Sequence, residues 1–205
     1  MITIVNYGLG NIWAFANLFE RLNIKTHIAE KASDIKQASK IILPGVGSFD
    51  HAMTLLNKSG MRDELDKQVL INKVPVIGIC LGMQIMAKSS DEGNLKGLGW
   101  IDGEVKLFDE NSIKYKTKYP HMGWNSIHQE KDSVILHNLP DESRFYFLHS
   151  YYFICNDPKD ILTTTHYGIN FASSIQKENI IGTQFHPEKS HANGTLLLKN
   201  FALFY

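Results

Sequence analysis

The chain has 205 residues, 43% of them hydrophobic, with 21 basic and 21 acidic side chains. That length supports one sizeable core and favours a single domain over residues 1–205, and a zero formal charge without a basic stripe argues against a nucleic-acid or anionic-membrane surface. No apolar stretch approaches the roughly 20 residues of a membrane span, and the two cysteines make no disulfide framework, so a reducing, cytoplasmic setting is expected.

In chain order, Ile2 to Asn6 reads as a strand that the chain enters directly, without a charged and apolar leader. A helix follows over Asn11 to Asn23, with Ile12, Phe15, Phe19 and Leu22 along one side. Lys25 to Ala29 is a second strand, Ser33 can cap a short helix, and Ile41 to Leu43 is a third strand. A helix begins at Asp50, a more charged one spans Met61 to Asn72, and Val74 to Ile79 is a fourth strand feeding a helix over Gly82 to Lys88. Strands separated by helices imply parallel pairing with helices on both faces. Ser89 to Trp100 is polar and Gly-rich and reads as a loop. Beyond it, Gly103 to Phe108, Gly123 to His128, Phe145 to Phe153, Ile161 to Tyr167, Phe171 to Gln176 and Ile180 to Gln184 are strand-like. The short turns between them suit antiparallel pairing, and Thr195 to Phe204 closes the chain as a helix. The expected fold is a three-layer α/β, mostly parallel open sheet with an antiparallel extension in its C-terminal half.

Three segments carry chemistry. Gly78-Ile79-Cys80-Leu81-Gly82-Met83 follows the apolar run Val74-Pro75-Val76-Ile77, the pattern of a strand-to-helix elbow that presents one side chain in a strained turn. A helix N-terminus aimed at the sulfur favours the thiolate. Gln184-Phe185-His186-Pro187-Glu188 supplies a general base and a carboxylate two residues apart, which share a face in extended chain; with Cys80 they complete a nucleophilic triad. Pro44-Gly45-Val46-Gly47 follows a buried strand, where glycines let backbone N–H groups turn toward a ligand. The amides of Leu81 and of Val46 or Gly47 are candidate oxyanion donors. All three segments would lie at the carboxyl ends of parallel strands, where such sheets place active sites. Cys155, in a strand-like run, reads as structural. Two other readings use the same cysteine, a thiol redox sensor and a hydrolase acting on an ester; the first needs neither His186-Glu188 nor the Gly-rich loop.

These three segments, with Gln84 extending the first and Lys189-Ser190 the second, resemble the class I (triad) glutamine amidotransferases. The resemblance covers essentially the whole chain. Within that family the sequence is similar to the glutaminase subunits of imidazole glycerol phosphate synthase. Asn6-Tyr7-Gly8-Leu9-Gly10-Asn11, Pro120-His121-Met122-Gly123-Trp124-Asn125 and Phe147-Leu148-His149-Ser150-Tyr151 carry the narrower match. The resemblance implies a flavodoxin-like sheet and no metal or cofactor. It also implies hydrolysis of glutamine to glutamate and ammonia through Cys80, His186 and Glu188 by way of a thioester. Gly47, Gln84, Glu92, Ser150 and Tyr151 would contact glutamine. Ammonia in water protonates and stops being a nucleophile, so a partner must receive it under cover. By resemblance that partner is a (β/α)8-barrel cyclase of histidine biosynthesis, forming a heterodimer and activating an otherwise weak glutaminase when it binds its nucleotide ligand. Asn11, Met122, Trp124, Tyr146 and Lys189 match interface positions, although Tyr146 reads equally well as core. Ala87-Lys88-Ser89-Ser90-Asp91-Glu92-Gly93 and Gly99-Trp100-Ile101-Asp102-Gly103 instead resemble paralogues that supply ammonia for sugar amidination in surface-polysaccharide synthesis. Histidine biosynthesis ranks first because the motif set fits it throughout.

Overall fold

The computed structural model describes residues 1–205. The first half contains β1 (Ile2–Val5), α1 (Ile12–Arg21), β2 (Thr26–Ala29), α2 (Ala32–Ile35), β3 (Lys40–Gly45), α3 (Phe49–Lys58), α4 (Arg62–Asp66), β4 (Val76–Cys80) and α5 (Leu81–Gln84). The second half runs β5 (Ser89–Ser90), β6 (Gly103–Leu107), β7 (His121–Ser126), β8 (His128–Gln129), β9 (Arg144–His149), β10 (Tyr151–Cys155), β11 (Ile161–Tyr167), β12 (Ile169–Lys177), β13 (Ile180–Thr183) and α6 (His191–Phe204). β2, β1, β3, β4 and β13 lie side by side in that order, all parallel. β12, β10 and β6 extend the sheet antiparallel from β13, and β11 pairs with β12.

Strand alternation divides the apolar residues between two cores. Ile41, Leu43 and Val76 enter one with Phe49, Met53 and Leu65, while Ile42 and Ile77 enter the other with Phe15, Phe19 and Phe201. Each fully buried side chain of this size contributes about 1.5–3 kcal/mol, so covering both faces with helices stabilises the central strands. α1 needs only a stripe for this, and Ile12, Phe15, Leu18 and Phe19 provide it.

Several expectations are corrected. Phe145 to Phe153 is not one strand: β9 pairs with β7 in a separate two-stranded ribbon, β10 joins the main sheet, and the chain changes sheet at Ser150. Aromatic residues carry β propensity straight across that break, so nothing local marks it. The helix after the elbow stops at Gln84: the N–H groups of Met86 and Ala87 tighten onto the Met83 and Gln84 carbonyls three residues back, and that of Lys88 donates to the Gly103 carbonyl at 3.0 Å instead of continuing the helix. Ser89 and Ser90 pair in parallel with Glu104 and Val105 rather than lying in a loop. Ser33 sits inside α2 and Lys31 precedes it as N-cap, while Asp34 accepts the Glu30 N–H at 3.1 Å. α4 passes into a π-turn, Lys67–Ile71, so Met61 to Asn72 is not continuously α-helical. Cys155 is half-buried, and burial pushes its thiol up to about 12, in keeping with a structural residue.

Candidate active site

β4 ends on Cys80, whose φ of +55° and ψ of −111° are strained for a residue with a side chain. The elbow depends on close backbone approach. A Cβ at Gly82 would stand 1.9 Å from the Leu43 carbonyl oxygen, and one at Gly78 would stand 2.6 Å from that of Gly82. The sulfur therefore projects beyond the carboxyl end of β4, between its neighbours β3 and β13. α5 has only 4 residues, so its dipole adds little there, and the activating groups come from the chain beyond β13.

His186 follows the end of β13, and Pro187–Lys189 makes a 3-10 turn. His186 Nδ1 donates to Glu188 Oε1 at 2.9 Å, with the two side chains 4% and 3% exposed. The pairing was expected from strand alternation; the 3-10 turn produces it instead, with the fixed φ of Pro187 starting the turn. Burial opposes charge on His186, but hydrogen bonds to Cys80 and Glu188 outweigh it and raise the imidazole to about 10. The Cys80 sulfur and the Glu188 carboxylate thus both favour the charged form of the ring. Its backbone is tied to β9: His186 N–H donates to the Tyr146 carbonyl at 2.9 Å, and Ser190 Oγ accepts the Tyr146 N–H at 3.0 Å and donates to the His186 carbonyl at 2.6 Å.

A cavity of about 270 Å³ opens over this pair. It brings Cys80 and His186 together with Val46, Gly47 and Leu81, and with Gln84, Glu92, Ser150 and Tyr151. Gln84 Nε2 donates to the Tyr151 carbonyl at 3.1 Å and to Gln184 Oε1 at 3.0 Å, which leaves its own oxygen free to accept. Glu92 Oε2 accepts the Phe49 N–H at 2.8 Å, and burial raises its carboxyl above the ordinary range. Gly47, at φ +98°, has open space where a Cβ would stand, so its backbone borders the cavity without a side chain. A larger groove of about 430 Å³ beside Trp13 and Lys25 holds no nucleophile and base.

Residues not anticipated at the site also line it or brace it. Gln184 Nε2 lies 3.7 Å from Cys80 Sγ, and the Leu148 carbonyl lies 3.9 Å from the same sulfur. Pro120 and His149 complete the wall. Gln184 and Ser190 flank the His-Pro-Glu segment, and that proximity in sequence was the signal that could have found them. At the rim, Trp124 packs edge-on against Tyr146 at 6.2 Å, and Lys189 Nζ lies 5.9 Å above the Tyr146 ring. Met122 is 65% exposed and Asn11 is exposed at the head of α1. Tyr146 is half-buried, in contact with both the rim and the His186 ring.

The chain belongs to the class-I glutamine amidotransferase family, whose family model matches residues 3–204. Solved structures show the same fold at low identity. A glutamine amidotransferase superposes with TM-score 0.75 at 18% identity, covering 98% of this chain and 96% of its own. PurLQS from Thermotoga maritima superposes with TM-score 0.71 at 15% identity, covering 98% and 96%. Curated relatives are far more similar in sequence. The imidazole glycerol phosphate synthase subunit HisH of Bdellovibrio bacteriovorus is 52% identical, covering 98% of this chain and 99% of its own. That of Leptospira borgpetersenii is 48% identical with the same coverage, and subunit HisH 2 of Pseudomonas aeruginosa is 45% identical, covering 98% of each. Within the class, the chain therefore belongs with the HisH subunits of imidazole glycerol phosphate synthase.

Proposed function

We propose that this pocket hydrolyses glutamine to glutamate and ammonia, with Cys80 as nucleophile, His186 as acid and base, and Glu188 as its orienting carboxylate. The observation that carries the reading is Cys80 and His186 lining one cavity with Glu92, Ser150 and Tyr151, while Glu188 holds the His186 ring from behind at 2.9 Å. Cys80 Sγ bonds to the side-chain amide carbon of glutamine, and the negative charge that develops on its oxygen is met by the N–H groups of Leu81 and of Val46 or Gly47. Collapse breaks the C–N bond as His186 gives its proton to the leaving ammonia. Water, deprotonated by His186, then cleaves the thioester and releases glutamate. Glu92 suits the ammonium group of the substrate, backbone amides at Ser150 and Tyr151 suit its carboxylate, and Gln84 braces that turn.

The ammonia passes to a cyclase subunit of (β/α)8-barrel form, docked over the rim through Asn11, Met122, Trp124, Tyr146 and Lys189 in a cytoplasmic heterodimer. Exposed aromatic and Met side chains around a catalytic opening suit such an interface. Sugar amidination is the second reading, and its sequence basis is narrow. Lys88 and Asp102, one from each stretch that departs from the histidine-pathway pattern, pair with each other at 2.6 Å on the surface. Neither lines the cavity. Glutamate release by the purified chain, alone and with the cyclase subunit of the same organism and its nucleotide ligand, tests the proposal. Strong stimulation that is lost in Cys80→Ala supports it. Survival of activity in Cys80→Ala overturns the nucleophile, and absence of stimulation by the cyclase moves the partner to a sugar-amidinating synthase.

A further inference from the structure

The chain changes sheet at Ser150, and where Tyr151 opens β10 a chain of inward-facing side chains braces the turn as well as the strand ladder. His149 Nδ1 lies 2.7 Å from the Tyr151 carbonyl. A carbonyl only accepts, so Nδ1 carries the proton and Nε2 is a bare acceptor. His121 Nδ1 lies 2.9 Å from that Nε2 and must therefore donate to it. His121 Nε2, now also bare, accepts from Asn125 Nδ2 at 3.2 Å. The amide of Asn125 is itself fixed in orientation, because its Oδ1 accepts the Ser126 N–H at 2.9 Å and its Nδ2 also donates to the His166 carbonyl at 3.0 Å. Every proton in the chain is thus assigned, and all point from β7 toward Tyr151.

The rings are locked in place. His121 is stacked against Phe147 at 4.8 Å and Tyr167 at 4.1 Å, and His149 packs 5.2 Å from Phe171 and 5.5 Å from Phe108. Burial keeps both imidazoles neutral, holding them down to about 4 and about 3. The other lone pair of the Tyr151 carbonyl accepts from Gln84 in the pocket. On β7 the strand alternation that turns His121 and Asn125 inward turns Met122 and Trp124 outward, to the rim.

We propose that Asn125, His121 and His149 are positioning residues, a one-way relay of hydrogen bonds that fixes the Ser150-Tyr151 turn for binding the amino-acid end of the substrate and couples that turn to the rim strand. The inference rests on the glutamine reading of the pocket. The relay bears on the turn that would hold the amino-acid end of the substrate, so its loss raises KM more than it lowers kcat.

The test compares wild type, His149→Phe and His149→Asn in complex with the cyclase. Phe keeps the ring and removes both nitrogens; Asn can still offer an N–H near the Nδ1 position. The expected result is a KM for glutamine raised roughly 10-fold in His149→Phe, the cost of a buried carbonyl losing its donor, with kcat within about 3-fold and partial recovery in His149→Asn. A fall in kcat at unchanged KM, or no change in either, overturns the proposal. Independently of any activity, ¹⁵N NMR of histidine-labelled wild type at neutral pH should show His121 and His149 neutral and protonated on Nδ1. Protonation on Nε2 in either ring also overturns it. Absence of glutamate release from the wild-type complex would instead sink the glutamine reading, and the NMR result would still decide the relay.

Discussion

Glu188→Gln isolates the charge beside the His186 imidazole. The substitution keeps size and shape in a site where the side chain is 3% exposed, and an amide oxygen can still accept from His186 Nδ1. Glu188 Oε2 has no hydrogen-bond partner, so the new amide nitrogen breaks no existing bond. What is lost is the difference between a charge-assisted and a neutral hydrogen bond to a buried imidazolium, about 1.5–3 kcal/mol against about 1. At that depth solvent screening gives little relief. The loss appears in steps where His186 holds its proton, so kcat for glutamate release should fall by roughly 2- to 30-fold. The measurement is coupled glutamate detection at saturating glutamine with the cyclase bound. His186, raised from 6.5 to about 10, makes a contribution to stability that is complete below pH 6.5 and is lost as pH rises toward 10. Glu188→Gln should shrink that contribution, so urea unfolding near pH 7 should show a less stable variant and the gap should close above pH 10. A kcat within about 2-fold of wild type would refute the argument that Glu188 acts through its charge.

Gly82→Ala forces a Cβ to within 1.9 Å of the Leu43 carbonyl, a backbone atom that cannot step aside. A loss of about 3 kcal/mol or more is expected, seen as a Tm lowered by roughly 6–12 °C; an unchanged Tm would mean that β3 and α5 can separate freely. Tyr7→Phe removes the buried hydrogen bond from the Tyr7 hydroxyl to the Pro44 carbonyl at 2.9 Å, at the head of the Gly-rich loop. About 1–3 kcal/mol of stability should go with it in urea titration. Acid stability follows from His149, lowered from 6.5 to about 3 by burial and the neighbouring His121, and from His121, lowered to about 4 by burial. The unfolded chain takes up these protons below pH 6.5 and the folded chain does not. Their contribution is therefore complete above pH 6.5 and is lost as pH falls toward 4 and 3, on the order of a few kcal/mol in all. Flat stability between pH 7 and 4.5 would contradict neutral burial of this pair.

The parallel half of the fold and the Cys80 elbow with its His-Pro-Glu segment were legible in the sequence, because both are written in local signals. A strand buried on both faces must be continuously apolar, so Ile41 to Leu43 and Val76 to Ile79 announce themselves. An elbow that packs against a neighbouring carbonyl must be glycine, so Gly78 and Gly82 mark Cys80. Tertiary structure alone decided what depends on distant partners. α5 ends early because the chain after it turns to β6, with the Lys88 N–H on the Gly103 carbonyl, and the aromatic run through Ser150 splits because its two halves pair with different strands. His186 and Glu188 meet through a turn rather than a strand. His121 and His149, separated by 28 residues, become one hydrogen-bonded unit only when β7 pairs with β9, since nothing in either segment fixes which ring nitrogen carries a proton until the other supplies its partner.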